Sequence, residues 1–380
     1  MTTSSREGIA SRHCNAHLAR TMRSLSTGSV EDNSSAIFPV GSESLHSPAT
    51  SPVEGLRMAQ DFTHVPVLLE EVTELFSALS GGVVVDATLG GAGHAAAILE
   101  SRSDLGVLGI DRDEVARRAA AVRLAGFGAR SVIRAGRFSQ LSEIVHSGRS
   151  GGEPWPVVPG ISEPAPIVGI LADLGVSSPQ LDQAERGFSF SRPGPLDMRM
   201  DPSRGETAAE LLDRIDLDSL TELLRENGEG RFARRIARAL IAARPVTTTT
   251  QLVDVVDAAV PKAGRRRGNV ASRVFQALRV EVNAEREELE ALLDQALPLL
   301  GPGGRLVVIS YHSGEDALVK HTFRSWADGG CTCPPHMPCV CGARSKGQLI
   351  SRRSVQASAP EQDRNRRATS ARLRCFEVAR

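Results

Sequence analysis

Asp86-Ala87-Thr88-Leu89-Gly90-Gly91-Ala92-Gly93-His94 is the stretch that decides the fold. The apolar run Gly82-Val83-Val84-Val85 leads into it, and a helix-forming run, Ala95 to Glu100, leads out. Strand, glycine turn and helix in that order are how an open α/β sheet receives a nucleotide-like ligand at the carboxyl ends of its strands. Glycines at 90, 91 and 93 let backbone approach a ligand where a Cβ would collide. A second apolar run, Leu105 to Ile110, ends in Asp111, twenty-one positions after Gly90. At an offset of about 20 residues an acid reaches a ribose hydroxyl in such units. The chain is therefore expected to bind an adenosine-containing cofactor.

Working outward, an amphipathic helix is expected over 70–79, with Val72, Leu75, Phe76 and Leu79 at helical spacing. After the glycine turn come a helix over 92–101, the Asp111 strand, a helix over 113–124 and a strand over 131–135 that leads to Phe138. Residues 147–166, rich in Gly, Pro and Ser, read as a loop. A fourth strand, Ile167 to Leu171, runs into Asp173-Leu174-Gly175-Val176-Ser177-Ser178-Pro179-Gln180. This alternation predicts a parallel, doubly wound α/β sheet. It stops between Leu181 and Val282, where helices are expected over 208–214, 217–227, 232–243 and 249–260. A helix over 283–300 and a strand over 305–310 resume the sheet, and a short last strand is expected over 373–378. The chain is thus divided into an N-terminal extension (1–60), the first part of a sheet domain (61–181), an all-α insertion (182–282) and the rest of the sheet domain (283–380).

Formal net charge is zero and 41% of residues are apolar, so a substantial core is expected and nucleic-acid affinity must come from local patches. Only Lys262, Lys320 and Lys346 are lysines among the 45 basic residues. The arginine excess reads as the codon bias of a GC-rich genome, with selection for phosphate contacts as the alternative. No apolar run approaches the ~20 residues that a membrane span needs. The first 60 residues, rich in Ser and Thr and without hydrophobic periodicity, read as a disordered tail. Arg6, Arg12, Arg20 and Arg23, against Glu7 as the lone acid of the first thirty residues, also suit a mitochondrial targeting peptide. With no secretory signal visible, a cytoplasmic, reducing setting is expected.

Asp86, Asp111, Phe138 and Asp173 fall at or just beyond strand ends on one sheet edge. Carboxylates there suit the ammonium group of S-adenosylmethionine, whereas a dinucleotide pyrophosphate calls for none. Asp173 and the Ser177-Ser178-Pro179 turn are candidates for hydrogen-bonding a planar amine, and His312 in Tyr311-His312-Ser313 is a further catalytic candidate on the same edge. Gly264-Arg265-Arg266-Arg267-Gly268-Asn269, with Arg273 and Arg279, is the strongest basic patch and a candidate RNA-binding surface, a solvated charged loop being the bland alternative. Cys331, Cys333, Cys339 and Cys341, with His336 between them, suit zinc better than disulfides in a reducing setting. Their one-residue gaps depart from the usual C-x₂₋₄-C spacing, however, and no metal ligand is assigned.

Taken together, these residues resemble the ribosomal RNA small-subunit methyltransferase H family. The matching stretches include residues 64–69, Asp86 to His94, Gly109 to Asp113, Asp173 to Gln180, Glu185 to Phe190, Pro195 to Met200, Arg273 to Asn283 and Ser310 to Asp316. Asp197-Met198-Arg199-Met200 and Phe275-Gln276-Ala277-Leu278-Arg279 are the most specific blocks. Nothing transfers to the first 60 residues or to 147–166. The resemblance implies a Rossmann-like class I methyltransferase sheet with a helical insertion. It also implies S-adenosylmethionine as cofactor and, as target, a cytidine N4 amine in the decoding region of 16S ribosomal RNA. Ala92, Gly93 and His94 would then form the cofactor loop, Asp111 would meet the ribose and Phe138 the adenine. Asp173 and Gln180 would lie near the methionine end. The partner is expected to be the RNA or the assembling small subunit. No membrane is involved, and a homodimer is left open. Three other readings share features with this one: a nicotinamide-dependent oxidoreductase has the glycine loop, a DNA amine methyltransferase has the Ser-Pro turn, and a non-catalytic RNA-binding protein would keep the arginine patch without cofactor turnover. The DNA enzymes typically carry a second proline and an aromatic where this chain has Gln180 and Leu181.

Overall fold

In the computed structural model of the chain, residues 66–261, 270–334 and 340–380 are described, together with all their side chains except those of Ser178 and Pro179. The expected extension over 1–60, His64, Val65, Cys14, Arg265, Arg266, Arg267, His336 and Cys339 all lie outside the described residues.

Among the described residues, seven strands make one sheet in the order β3-β2-β1-β4-β5-β7-β6. They are β1 (Gly82–Asp86), β2 (Leu105–Asp111), β3 (Ser131–Ala135), β4 (Ile167–Asp173), β5 (Arg305–Ser310), β6 (Gly347–Leu349) and β7 (Arg372–Val378). β1 to β5 run parallel to one another. The sheet is not wholly parallel, as the alternation had predicted: β7 lies antiparallel between β5 and β6. From β5 the chain passes through the Ser313–Asp328 helix, β6 and the short Ala359–Arg364 helix, and β7 then enters between β5 and β6 against the direction of both.

Near-continuous apolar runs in β1, β2 and β4 reflect burial on both faces. Successive side chains leave a strand on opposite sides. Val84 thus joins one core with the helices Leu69–Ser77, Gly93–Ser101 and Glu114–Leu124. Val83 and Val85 join another with Leu141–Arg149, Glu285–Leu299 and Ser313–Asp328. A third core belongs to the segment between β4 and β5, running from Phe188 to Leu278. Its helices, Ala208–Arg214, Leu217–Glu226, Ala233–Ala242, Thr249–Ala259 and Val270–Val282, follow the expected ones closely and add the last. Local chemistry explains their starts. Thr207 and Thr248 each accept from a backbone N–H three residues on while Glu210 or Gln251 reaches back, which is the capping box.

Candidate active site

The parallel strands place Asp86, Asp111 and Asp173 on one edge, because register pairs Asp86 with Gly109 and Leu171, Asp111 with Ala135, and Asp173 with Ile309. A cleft of about 360 Å³ opens there. The glycine turn forms one wall. Gly90 (φ 50) and Ala92 (φ 59) are both left-handed, and the Gly93–Ser101 helix starts directly after them. Glycine takes that conformation at no cost, whereas Ala92 is held in it by complete burial. Asp111 fastens the turn: its Oδ2 accepts from the Gly90 N–H at 2.8 Å and its Oδ1 from the Asp113 N–H at 2.8 Å. Each carboxylate oxygen has two acceptor positions, so both keep capacity for a ligand hydroxyl.

Asp173 carries the chemistry of the opposite wall. The Tyr311 hydroxyl donates to its Oδ1 at 2.7 Å, and its backbone N–H donates to Thr88 Oγ1 at 2.6 Å. Burial raises the Asp173 carboxyl to about 7, against a downward pull from the Tyr311 hydrogen bond and a smaller push from Glu315. A quarter of the side chain still faces the cleft. Asp86 rises to about 6, again chiefly through burial, with His94 and the Thr88 N–H lowering it. His94 is buried, and burial moves its imidazole below the usual value. Its Nε2 lies 3.0 Å from the Val67 carbonyl, which can only accept, so the proton sits on Nε2. Nδ1 then presents a lone pair 4.0 Å from Asp173 Oδ2.

Gly93, His94, Asp111, Phe138, Asp173 and Gln180 all line this cleft. Ala92 does not; its side chain belongs to the sheet core, and what it offers is the turn it imposes. Gln180 acts within the protein. Its Nε2 donates to Asp113 Oδ2 at 3.0 Å and its Oε1 accepts from the Ser177 N–H at 3.0 Å, so it ties the Ser-Pro turn to the end of β2. Arg186 joins the same Asp113 oxygen at 3.0 Å. The Ser178 side chain lies outside the described ones.

Three expectations are corrected. His312 is not in the cleft wall. It caps the Ser313–Asp328 helix, and its Nε2 lies 3.1 Å from Glu315 Oε1 but off the hydrogen-bonding direction. Its neighbours Tyr311 and Glu315 face the cleft instead. Arg279 is not a free phosphate contact: its guanidinium forks onto both oxygens of Glu285 at 2.8 Å within the cleft wall. Arg273 is likewise committed, at 2.6 Å, to the buried carboxylate of Glu229.

Sequence reasoning passed over Arg112, Arg137 and Glu288, which complete the wall. Glu288 accepts from the Ser139 N–H and hydroxyl at 2.8 and 3.0 Å, which fixes the turn beside Phe138. A glutamate on the helix after the insertion gave no local signal of that contact.

The donor set suits one ligand type. For S-adenosylmethionine, Asp111 would offer acceptors to the ribose, Phe138 an apolar wall to the purine, and Asp173 a carboxylate to the cationic tail. A strand order of 3-2-1-4-5-7-6 with this cleft at the carboxyl edge defines a class I S-adenosylmethionine-dependent methyltransferase. Within that class the chain belongs to the MraW methylase family, whose model matches residues 61–379. It is 47% identical over 324 residues to the ribosomal RNA small subunit methyltransferase H of Myxococcus xanthus, covering 85% of this chain and 99% of that one. To the protein of the same name from Symbiobacterium thermophilum it is 44% identical over 319 residues, covering 82% and 96%. Among solved structures, a putative rRNA-methylase from Clostridium thermocellum aligns at a TM-score of 0.35 and 13% identity, over 83% of this chain and 99% of that one.

Proposed function

We propose that the protein transfers the methyl group of S-adenosylmethionine to the N4 amine of a cytidine in the decoding region of small-subunit (16S) ribosomal RNA. The observation that carries this reading is the convergence of the Gly90–His94 turn, Asp111 and Asp173 on one cleft, in a chain of the MraW methylase family. Bound S-adenosylmethionine supplies an electrophilic methyl group. What the protein must supply is position and a place for a proton.

A cytosine N4 amine is a weak nucleophile because its lone pair is delocalised into the ring. An acceptor that takes a hydrogen bond from the amine returns electron density to nitrogen and aligns it. Positioning of this kind contributes about 7–11 kcal/mol to lowering a barrier. Asp173 fits the acceptor role. Tyr311 occupies Oδ1, which leaves Oδ2 with lone pairs enough for both the cofactor's ammonium group and the amine. The Ser177–Gln180 turn, held to Asp113 by Gln180, frames the base. The target cytidine must be unstacked or single-stranded to enter such a pocket. The substrate is the RNA or an assembling small subunit, gripped in part by the arginine run 265–267, in the cytoplasm. Among the described residues no helix is long and apolar enough to cross a membrane.

The test incubates purified protein with unmodified small subunits and methyl-labelled S-adenosylmethionine, then digests the RNA and identifies the labelled nucleoside by mass spectrometry. N4-methylcytidine is the expected product. Label in another nucleoside, or transfer to DNA in preference to RNA, contradicts the proposal.

A further inference from the structure

The cysteine-rich loop lies beyond the end of the Ser313–Asp328 helix that is remote from the cleft. That helix of 16 residues is about 24 Å long at 1.5 Å per residue. Its first turn carries Glu315 of the cleft wall, and it stops at Gly329 and Gly330, both left-handed (φ 65 and 73). The Gly329 N–H returns to the Trp326 carbonyl at 3.3 Å, the Gly330 N–H to Ser325 at 2.9 Å and the Cys331 N–H to Asp328 at 3.2 Å. The departing strand of the loop passes the same spot. Arg344 backbone lies 2.3 Å from where a Cβ on Gly329 would stand, and the Lys346 N–H donates to the Trp326 carbonyl at 2.9 Å. Both stems are thus pinned to one helix end.

Between the stems, Cys331, Cys333 and Cys341 have sulfurs that all lie within 4.8 Å of one another, and the Cys331 and Cys341 sulfurs are 3.6 Å apart. A disulfide needs about 2.05 Å. Three thiolates in tetrahedral contact with zinc, at about 2.3 Å each, sit about 3.8 Å apart. The closest pair matches the spacing of sulfurs that share an ion, and the third sulfur lies within 4.8 Å of both. Near neighbours in sequence need not supply the whole set: a C-x-C pair on one stem meets a cysteine from the other, which answers the objection raised by the one-residue gaps. Apolar burial contributes little to this loop. Among its described residues none of the three cysteines is buried, and Val340 is 88% exposed. Small excursions without a core are commonly held by a metal or a disulfide. The negative end of the helix dipole beside Cys331 also favours a cation.

We propose that Cys331, Cys333 and Cys341 hold a structural Zn²⁺ ion that locks this loop onto the end of the Ser313–Asp328 helix. Zinc binds the thiolates, so loading releases the thiol protons and weakens at low pH. A helix length from the cleft, the ion takes no part in methyl transfer. Its work is to fix the connection that leads into β6.

The test measures metal by mass spectrometry in full-length protein grown with zinc and purified without chelator, alongside Cys333→Ser and Cys341→Ser. The expected result is about one zinc per chain in the parent and roughly tenfold less in each variant. Affinity for S-adenosylmethionine should stay within about twofold, because the sites are distinct. A zinc-free parent, zinc retained by both variants, or an unreduced parent lighter by two hydrogens each overturns the proposal. Where the variants do not fold, cobalt loading of the parent decides: thiolate-to-cobalt charge-transfer absorption supports the site, and its absence removes it.

Discussion

Asp173 shows how one residue's surroundings set a measurable pH dependence. Its folded value, about 7, lies above the ordinary carboxylate value of 3.8, chiefly through burial. The neutral form is therefore the favoured one: its contribution to stability is complete below about pH 4 and lost as pH rises through about 7. A cationic methionine tail needs the opposite, an ionised carboxylate. Affinity for S-adenosylmethionine is thus expected to climb through about pH 7 and to fall above about 8, where the ligand's own amine loses its proton. Calorimetric titration across that range checks this, and Asp173→Asn should flatten the climb. Asp86, raised to about 6 and coupled to Asp173, ionises in the same range, so it is the Asp173→Asn comparison that identifies the group; His94 and Glu315 are lowered, and Tyr311 is raised well above 10. Tyr311→Phe removes the hydrogen bond that lowers Asp173, so the midpoint should move upward. Hydrogen bonds to charged groups are worth about 1.5–3 kcal/mol, so affinity at neutral pH should drop about tenfold. Asp173→Ala, folded, is expected to lose methyl transfer; near-normal turnover contradicts its role. Asp111 and Asp173 were legible in the sequence because a strand end fixes where a side chain emerges. The choice between Tyr311 and His312 was not. One residue past a strand, the backbone turns, and whether a side chain faces the ligand or caps the next helix is decided by the cap hydrogen bonds alone.

Elements meet where the insertion rejoins the sheet, and one side chain holds that junction. Asn283 accepts from the Met200 N–H at 2.8 Å and donates to the Met198 and Arg279 carbonyls at 2.8 and 2.9 Å. Its own carbonyl accepts from Arg112 at 3.2 Å. Met198 (φ 64) is a left-handed non-glycine residue, and Ala284 (φ 48) starts the next helix in the same conformation. Asn283→Ala leaves a buried N–H and carbonyl unsatisfied, at about 1–3 kcal/mol each. Urea denaturation should therefore show a loss of about 2–6 kcal/mol. Asn283→Asp should not rescue it, since a carboxylate cannot donate to those carbonyls. The Asp197–Met200 block was conspicuous in sequence, but its anchoring to a residue more than eighty positions later was not, because such a contact leaves no periodicity. The Val270–Val282 helix was missed for a related reason. Its arginines look like a patch until Arg273 and Arg279 are seen to face Glu229 and Glu285.

At the scale of the molecule, grip on RNA and grip on the cofactor are expected to separate. With Arg273 and Arg279 committed to carboxylates, the run Arg265, Arg266 and Arg267 is left as the candidate phosphate contact of that patch. Replacing all three with alanine should reduce the slope of log affinity against log salt by about two to three, since each phosphate contact releases about 0.7–0.9 of a counterion. Filter binding to small-subunit RNA measures it, and affinity for S-adenosylmethionine should not change. Fold class was legible at this scale because βαβ alternation is a local pattern repeated. The antiparallel β7 was legible only as a strand, since which neighbours it would choose depends on pairing across the whole sheet. That choice bears on how the molecule is born. β5 pairs on one side with β4, already made, but on its other side with Arg372–Val378. Until those residues leave the tunnel of the ribosome, the nascent sheet exposes an open edge of unpaired amides. A chain made from its amino end therefore carries β1 to β5 before the strand that covers the edge of β5 exists.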